Sequence, residues 1–227
     1  MRIVPAHDLS IAHDLSIDGV TLYRVCHLGE PVPRIDHSMN IVFVSHSHFH
    51  PAMVVGSHQL SRAYAKAGHR VLHLSLPFSL AHLARLHRPR MYSRLKSAWK
   101  GPTERAPNLY EWIPLSLIPW DAAKRVMKFS SKNWCLPASR RVTQTIHRLQ
   151  LDPIDVALID DPRLYGVESI LNAKKTVYRA TDMYAELRGD PWIVDAERQL
   201  IRQVDGVFAT SQPVADHLRA ILSLIHI

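Results

Sequence analysis

Short apolar runs and longer amphipathic segments alternate along most of this chain. Runs of Val, Ile, Leu and Phe have the length and β-branched character of buried strands. We predict strands over residues 40–45, 70–75, 108–118, 155–159, 177–182 and 207–211. Between them, apolar residues every three or four positions predict helices over residues 56–67, 79–100, 138–149, 163–171, 190–204 and 213–221, with a break at Pro89. This order predicts right-handed βαβ units and therefore an α/β fold with a parallel sheet.

Both ends of the chain depart from this alternation. In residues 1–38 the hexapeptide AHDLSI occurs twice in succession, and Met39 then stands directly before the first predicted strand. Either Met39 is the natural start and residues 1–38 are a poorly ordered extension, or they form a native but loosely ordered arm. We predict one Rossmann-like domain over residues 39–221, with helices on both faces of its sheet. Residues 222–227 read as the translation of a sequencing-library transposon end, so we expect a non-native tail on a truncated chain; the alternative is the natural end of a helix.

Positive charge is concentrated in one segment. The formal net charge is +8, and residues 85–105 carry seven bases against one acid, Glu104, which gives a local charge of +6. Such a segment suits an anionic partner, either phosphate-bearing lipid, a membrane surface or nucleic acid; the alternative is an ordinary solvated face. Trp99, Trp112, Trp120 and Trp134 lie in the middle third of the chain. Trp beside Arg and Lys suits a membrane interface, although Trp is more often part of a core.

Cysteine usage and hydropathy narrow the class of protein. Cys26 and Cys135, in unrelated contexts, give neither a disulfide framework nor a zinc spacing, and they fit a reducing cytosol. Asp8 and Asp14 interrupt the first residues, so we expect no signal peptide. No apolar run approaches the roughly 20 residues that span a bilayer. Any membrane contact is therefore expected to be peripheral.

Polar side chains follow the predicted strands, and ligands bind beyond the carboxyl ends of strands in an open α/β sheet. Asp182 ends the run VYRATD and is a candidate general base; the alternative is a cap for the next helix or turn. Arg179, in the same run, either pairs with a neighbouring acid (Asp160 or Asp161) or holds the base or a ligand.

Five other polar side chains are candidates for a ligand site. His46, His48 and His50 alternate after the first predicted strand, where they either converge on a metal or line an acceptor cleft. Glu197 lies beside an apolar helix stripe and points either toward the cleft or to an i,i+4 partner outside it. Ser211 ends the last strand, where its hydroxyl either bonds a ligand or caps the next helix.

Five segments in a fixed order resemble the N-terminal domain of GT-B glycosyltransferases. They read NIVFVSH from residue 40, GHRV from 68, DVALI from 155, VYRATD from 177 and DGVFATS from 205. They are most similar to the GumK-type glucuronosyltransferases of bacterial exopolysaccharide assembly, over roughly residues 40–221. The run YRATD, followed by a helix and by DGVFATS, carries most of the specificity.

In that family, two Rossmann-like domains face each other across a cleft. The N-terminal domain holds the acceptor, often a lipid-linked sugar at the membrane, and the C-terminal domain binds the nucleotide sugar. The resemblance implies that this chain is one half of a GT-B fold and that Asp182 deprotonates the acceptor hydroxyl in an inverting hexosyl or glucuronosyl transfer. The predicted acceptor-binding residues are His46, His48, Arg179, Glu197 and Ser211.

The resemblance also implies partners and a location. It implies no metal and no cofactor other than the nucleotide-sugar donor, whose site would lie in a missing C-terminal domain, so this fragment alone is expected to be inactive. The implied partners are the nucleotide sugar, a lipid-linked or saccharide acceptor and an anionic membrane surface, in bacterial polysaccharide synthesis at the cytoplasmic face of the cell membrane.

Two other functions stay open. A non-enzymatic α/β module could bind nucleic acid or anionic lipid through residues 85–105. The sequence holds no recognisable nucleic-acid motif, and its bases cluster without interleaved sequence-reading elements, so we expect no nucleic acid as a partner of the transferase. The same fold could also carry a different enzyme, because a fold does not fix its chemistry.

Overall fold

A nine-stranded sheet forms the centre of the computed structural model, which describes residues 10–17, 20–26, 38–49, 56–117, 119, 138–189 and 191–223. The strands, in chain order, are β1 (Ser10–Ile17), β2 (Val20–Cys26), β3 (Asn40–Ser45), β4 (Arg70–Ser75), β5 (Phe78–Ser79), β6 (Thr103–Ala106), β7 (Leu109–Trp112), β8 (Leu115–Ser116), β9 (Val156–Ile159), β10 (Lys175–Ala180) and β11 (Gly206–Ala209). Strands β5 and β8 pair with each other in a separate two-stranded ladder.

Helices connect the strands. They are α1 (Gly56–Lys66), α2 (Pro89–Lys100), α3 (Ala138–Arg148), α4 (Glu168–Leu171), α5 (Tyr184–Arg188), α6 (Trp192–Ile201) and α7 (Gln212–Ser223), with short 3-10 helices at Leu80–Arg85 and Pro162–Leu164. The helix predicted over residues 79–100 is divided because Pro89 occupies the first turn of α2, where its missing N–H needs no partner. Arg88, directly before it, has the extended conformation that a residue before proline prefers.

The strand order is that of a doubly wound sheet. Six parallel strands lie in the order β7-β4-β3-β9-β10-β11, which in their own chain order is 3-2-1-4-5-6. Strand β6 pairs antiparallel with β7 at one edge. At the other edge β2 pairs parallel with β11, and β1 pairs antiparallel with β2. The order reverses between β3 and β9, so the topological switch point lies at the carboxyl ends of these two strands.

The core has two layers because successive residues of β3 face opposite sides of the sheet. Ile41 and Phe43 pack with Ala65 of α1 on one face. Val42 and Val44 belong to the larger cluster on the other face, which includes residues of α3, α6 and α7. Helices on both faces of a mostly parallel sheet confirm the predicted Rossmann-like α/β fold.

The bounds of the predicted domain stay a prediction. The hairpin β1–β2 lies within residues 1–38, the predicted extension, and α7 continues to Ser223, within the predicted tail of residues 222–227. His50, Cys135 and residues 224–227 lie outside the described residues. Nowhere in the described part of the chain is a helix both long and apolar enough to cross a bilayer.

Candidate functional site

Polar residues from three adjacent strands meet at the switch point. The register pairs Val44 of β3 with Ile159 of β9, and Ile159 with Tyr178 of β10. The residues that follow these strands therefore leave the sheet at one edge, which is where open α/β sheets bind ligands. They include His46 after β3, Asp160 and Asp161 after β9, and Asp182 after β10.

Asp161 connects the loop after β3 to the turn after β9. Its Oδ2 lies 3.5 Å from Nδ1 of His46, whose side chain is 31% exposed, whereas Asp161 itself is fully buried. The guanidinium of Arg163 also donates to Asp161, from Nε to Oδ1 at 2.9 Å and from Nη2 to Oδ2 at 2.5 Å. A buried carboxylate is stable only when it is paired in this way. Asp161 therefore lies beside the one predicted acceptor-binding histidine that is partly exposed.

Arg179 pairs with Asp160 and not with Asp182. Its Nε donates to Oδ1 and its Nη2 to Oδ2 of Asp160, both at 2.8 Å, and both side chains are buried. Burial alone would lower the pKa of the Arg179 guanidinium, but the hydrogen bonds and charge of Asp160 raise it above its usual value. Of the two sequence alternatives, the structure shows the ion pair, and a role of Arg179 in binding the acceptor stays a prediction.

Asp182 is exposed, two residues beyond the end of β10. Thr181 Oγ1 donates to its Oδ2 over 3.4 Å, a long contact that leaves the carboxylate free to bond elsewhere. The alternative role as a helix cap is not what the structure shows, because Met183 is the N-cap residue of α5 and no side chain caps that helix. Thr181 is itself held by the hydroxyl of Tyr184, 2.8 Å from its Oγ1.

Glu197 lies inside the molecule, between three elements of secondary structure. It is fully buried, and its Oε1 accepts the phenolic proton of Tyr178 at 2.7 Å. Its Oε2 lies 2.9 Å from Nε2 of His217 on α7. Burial and the adjacent Glu197 raise the pKa of Tyr178 well above its usual value, so the phenol stays a donor. Both oxygens of Glu197 thus have protein partners, and its acceptor-binding role stays a prediction.

Ser211 lies between β11 and α7. It is exposed, and its carbonyl accepts the N–H of Ala215 at 3.0 Å. Thr210, directly before it, donates from Oγ1 to the carbonyl of Thr181 at 3.2 Å. The segments that follow β10 and β11 are therefore joined at the same edge, with the Ser211 hydroxyl available to solvent.

The two described histidines of the loop after β3 have different surroundings. His46 faces Asp161 at the edge, whereas His48 is buried. Among the residues that the structure describes, no group of three or more His, Cys, Asp or Glu side chains is arranged to hold a metal ion.

Buried serines and histidines from β3, β4 and α1 form a cluster with Ser47 of the loop after β3. Ser47 Oγ lies 3.0 Å from Ser45 Oγ and 3.2 Å from Nε2 of His58. Ser57 Oγ lies 3.3 Å from Ser45 Oγ and 3.5 Å from Nε2 of His73. Burial, together with the nearby His58, lowers the pKa of His73 well below its usual 6.5. We expect this imidazole to be neutral at physiological pH.

Phe49 packs against two histidines of this cluster and connects the loop after β3 to β7 through a hydrogen bond. Its ring centroid lies 4.2 Å from that of His58 and 4.9 Å from that of His73. Its N–H donates to Oε1 of Glu111 at 2.6 Å, while Oε2 of Glu111 accepts bonds from Arg105 at 2.7 and 2.5 Å. This arrangement was not predicted from the sequence. The one signal for it was the acid Glu111 in an otherwise apolar and aromatic strand, which a buried partner explains.

No protein-family model matches the chain, and no curated protein matches it. The function is therefore inferred from the residues at the switch point and from the sequence motifs.

Proposed function

We propose that this chain is the acceptor-side domain of an inverting GT-B glycosyltransferase. The complete protein transfers a hexosyl or glucuronosyl group from a nucleotide sugar to a lipid-linked or saccharide acceptor in bacterial polysaccharide synthesis. Its nucleotide-sugar site lies in a second domain that faces the carboxyl edge of this sheet. The chain on its own is inactive, because half of the cleft is supplied by that domain.

The exposure of Asp182 at the carboxyl edge is the observation that carries the proposal. This carboxylate leaves the sheet one strand away from the switch point, and it neither caps a helix nor joins a buried ion pair. Of the described acids that directly follow these strands, the other two are occupied, since Asp160 pairs with Arg179 and Asp161 with Arg163. A catalytic base must lie within hydrogen-bond reach of the proton that it removes, and among these described acids Asp182 is the one with an exposed side chain.

The chemistry of a single displacement requires one such base. A sugar hydroxyl is a weak nucleophile, and a positioned carboxylate removes its proton as the bond to the anomeric carbon forms and the bond to the nucleotide diphosphate breaks. Positioned proton transfer of this kind contributes about 10²- to 10⁴-fold to the rate. His46 lies at the same edge, near Asp161 and partly exposed, where its imidazole would hydrogen-bond the acceptor.

We further propose that this domain meets an anionic membrane surface at the cytoplasmic face of the cell membrane. The structure revises the charge available in residues 85–105. Arg94 is buried, donates to the carbonyl of Leu76 at 2.6 Å, and has a pKa that burial lowers to about 10. Arg105 is engaged by Glu111. Besides Arg105, the exposed bases of the segment are Arg85, Arg88, Arg90, Lys96 and Lys100.

Asp182→Asn in the protein made from the complete gene tests the sugar-transfer proposal. Turnover with a labelled nucleotide sugar and membrane-extracted acceptor should fall by about 10²- to 10⁴-fold, while acceptor binding changes little, because the amide keeps the shape and loses the basicity. Glu186→Gln is the matched control, since Glu186 is exposed on α5, four residues along the chain. Full turnover in Asp182→Asn, or an equal loss in the control, would refute the assignment.

Salt-sensitive binding of short DNA or RNA duplexes, together with absence of transfer by the complete protein, would instead favour the non-enzymatic module.

A further inference from the structure

A groove between α2 and α3 lies outside the site described above. Its volume is about 450 Å³, within the range of pockets that hold small ligands. Ala98, Trp112 and Leu115 contribute its apolar lining. The side chains of Ala98 and Trp112 are buried, so the groove reaches down to the core of the molecule.

The rim of the groove is basic. Arg141, Gln144 and Arg148 line it from α3, and their i, i+3 and i+7 spacing places them on one face of that helix. The two arginines are seven residues apart, which corresponds to about 10 Å along a helix axis. Among the lining residues that the structure describes there is no acid. The groove therefore combines an apolar floor with a rim suited to an anion.

Trp99 forms one wall, and it belongs to an exposed face of α2 that suits a bilayer. Its side chain is 81% exposed, and that of Tyr92, two turns earlier, is 62% exposed. Lys96 lies between them on the same face and is also exposed. Aromatic rings interleaved with a lysine are typical of surfaces that contact the headgroup region of a membrane. Leu80 and Leu83, on the 3-10 helix before α2, are exposed as well.

We propose that the groove binds one anionic phospholipid of the membrane, with the phosphate between Arg141 and Arg148 and the upper part of the acyl chains against Trp99 and Trp112. Charge complementarity favours this occupant, because the rim is basic without an acid and the floor is apolar. The exposed aromatic face of α2 beside the groove favours a lipid that is part of a bilayer over a soluble phosphate. This proposal deepens the membrane contact of the proposed function, and it does not depend on sugar transfer.

Vesicle flotation of the full 227-residue chain tests the proposal. The probes are vesicles of phosphatidylcholine with and without phosphatidylglycerol, and phosphatidylglycerol brominated along its acyl chains. We expect binding only with phosphatidylglycerol, and quenching of tryptophan fluorescence by the brominated lipid that Trp99→Ala reduces. In Arg141→Gln/Arg148→Gln, affinity should fall by at least tenfold, since each base near an anionic surface contributes several-fold.

Arg198→Gln/Arg219→Gln is the matched control. These arginines lie on α6 and α7, outside the groove, each paired with an acid three residues away, and their loss changes the net charge equally. Affinity within about twofold of wild type in the control supports a defined groove, because general electrostatic attraction scales with charge alone. Equal losses in both double variants, quenching unaffected by Trp99→Ala, or binding without phosphatidylglycerol would overturn the proposal. The assay measures lipid binding only, so none of these outcomes decides whether Asp182 supports sugar transfer.

Discussion

Removal of one hydroxyl should reveal whether Glu197 is a structural carboxylate. Tyr178→Phe deletes the donor to Glu197 Oε1 and leaves the ring in place among fully buried neighbours. Among the described residues, the fully buried Glu197 then keeps the contact of its other oxygen with His217. A hydrogen bond to a charged group contributes about 1.5–3 kcal/mol, and a buried acceptor that loses its donor costs at least as much. We therefore expect the free energy of unfolding to fall by about 2–3 kcal/mol.

Urea unfolding followed by circular dichroism measures this difference. Thermal unfolding gives a second measurement. For a chain of this size, a loss of 1 kcal/mol lowers the melting temperature by roughly 2–4 °C, so Tyr178→Phe should melt roughly 4–12 °C lower than wild type. Tyr92→Phe is the matched control, because its side chain is exposed, and it should change the unfolding free energy by less than about 0.5 kcal/mol. A Tyr178→Phe variant as stable as this control would refute the view that Glu197 needs its phenol partner.

Two further predictions concern buried ionisable side chains. In Arg179→Ala, Asp160 stays buried without its cation, so the unfolding free energy should fall by about 3–5 kcal/mol in a urea titration. Lys175 lies on the same strand as Arg179 and makes an exposed ion pair with Asp205, so the control Lys175→Ala should cost under about 1 kcal/mol. Because burial lowers the pKa of His73 in the folded state, the unfolded chain binds a proton that the folded chain does not. Stability should therefore be full above about pH 6.5 and fall as the pH drops, by up to about 1.4 kcal/mol per pH unit, and His73→Asn should show a shallower fall.

The alternation of strands and helices was readable from the sequence, and the arrangement of the strands was not. Strands β3 and β4 have the predicted bounds because their apolar runs are bounded by polar residues. Strand β6 was not predicted, since its sequence TERA is short and largely polar and it pairs only at an edge. The switch point depends on which strands pair across long separations, and local patterns carry no information about that pairing.

The candidate site was predictable only in part, for a related reason. The position of Asp182 beyond a strand followed from the run that precedes it. The pair of Arg179 with Asp160 was one of two alternatives for that residue, and the sequence could not decide between them. The partners of Glu197 were not predicted, because they lie about twenty positions away on other elements. An acid beside an apolar helix stripe fits a cleft and a buried network equally well until the neighbouring helix is placed. Likewise, the N-cap position of α5 is occupied by Met183 and not by Asp182.

The place of β3 in the middle of the sheet has a consequence for synthesis on the ribosome. One side of β3 pairs with β4, which follows after a single helix, whereas the other side waits for β9, and Asn40 bonds Asp155 across 115 positions. Once β4 has paired with β3, a nascent chain therefore holds part of a sheet with an open inner edge until β9 emerges, about eighty residues later. Such an edge is a template for misassembly between chains, so yield from rapid overexpression should respond to slower translation or to a chaperone that shields strands.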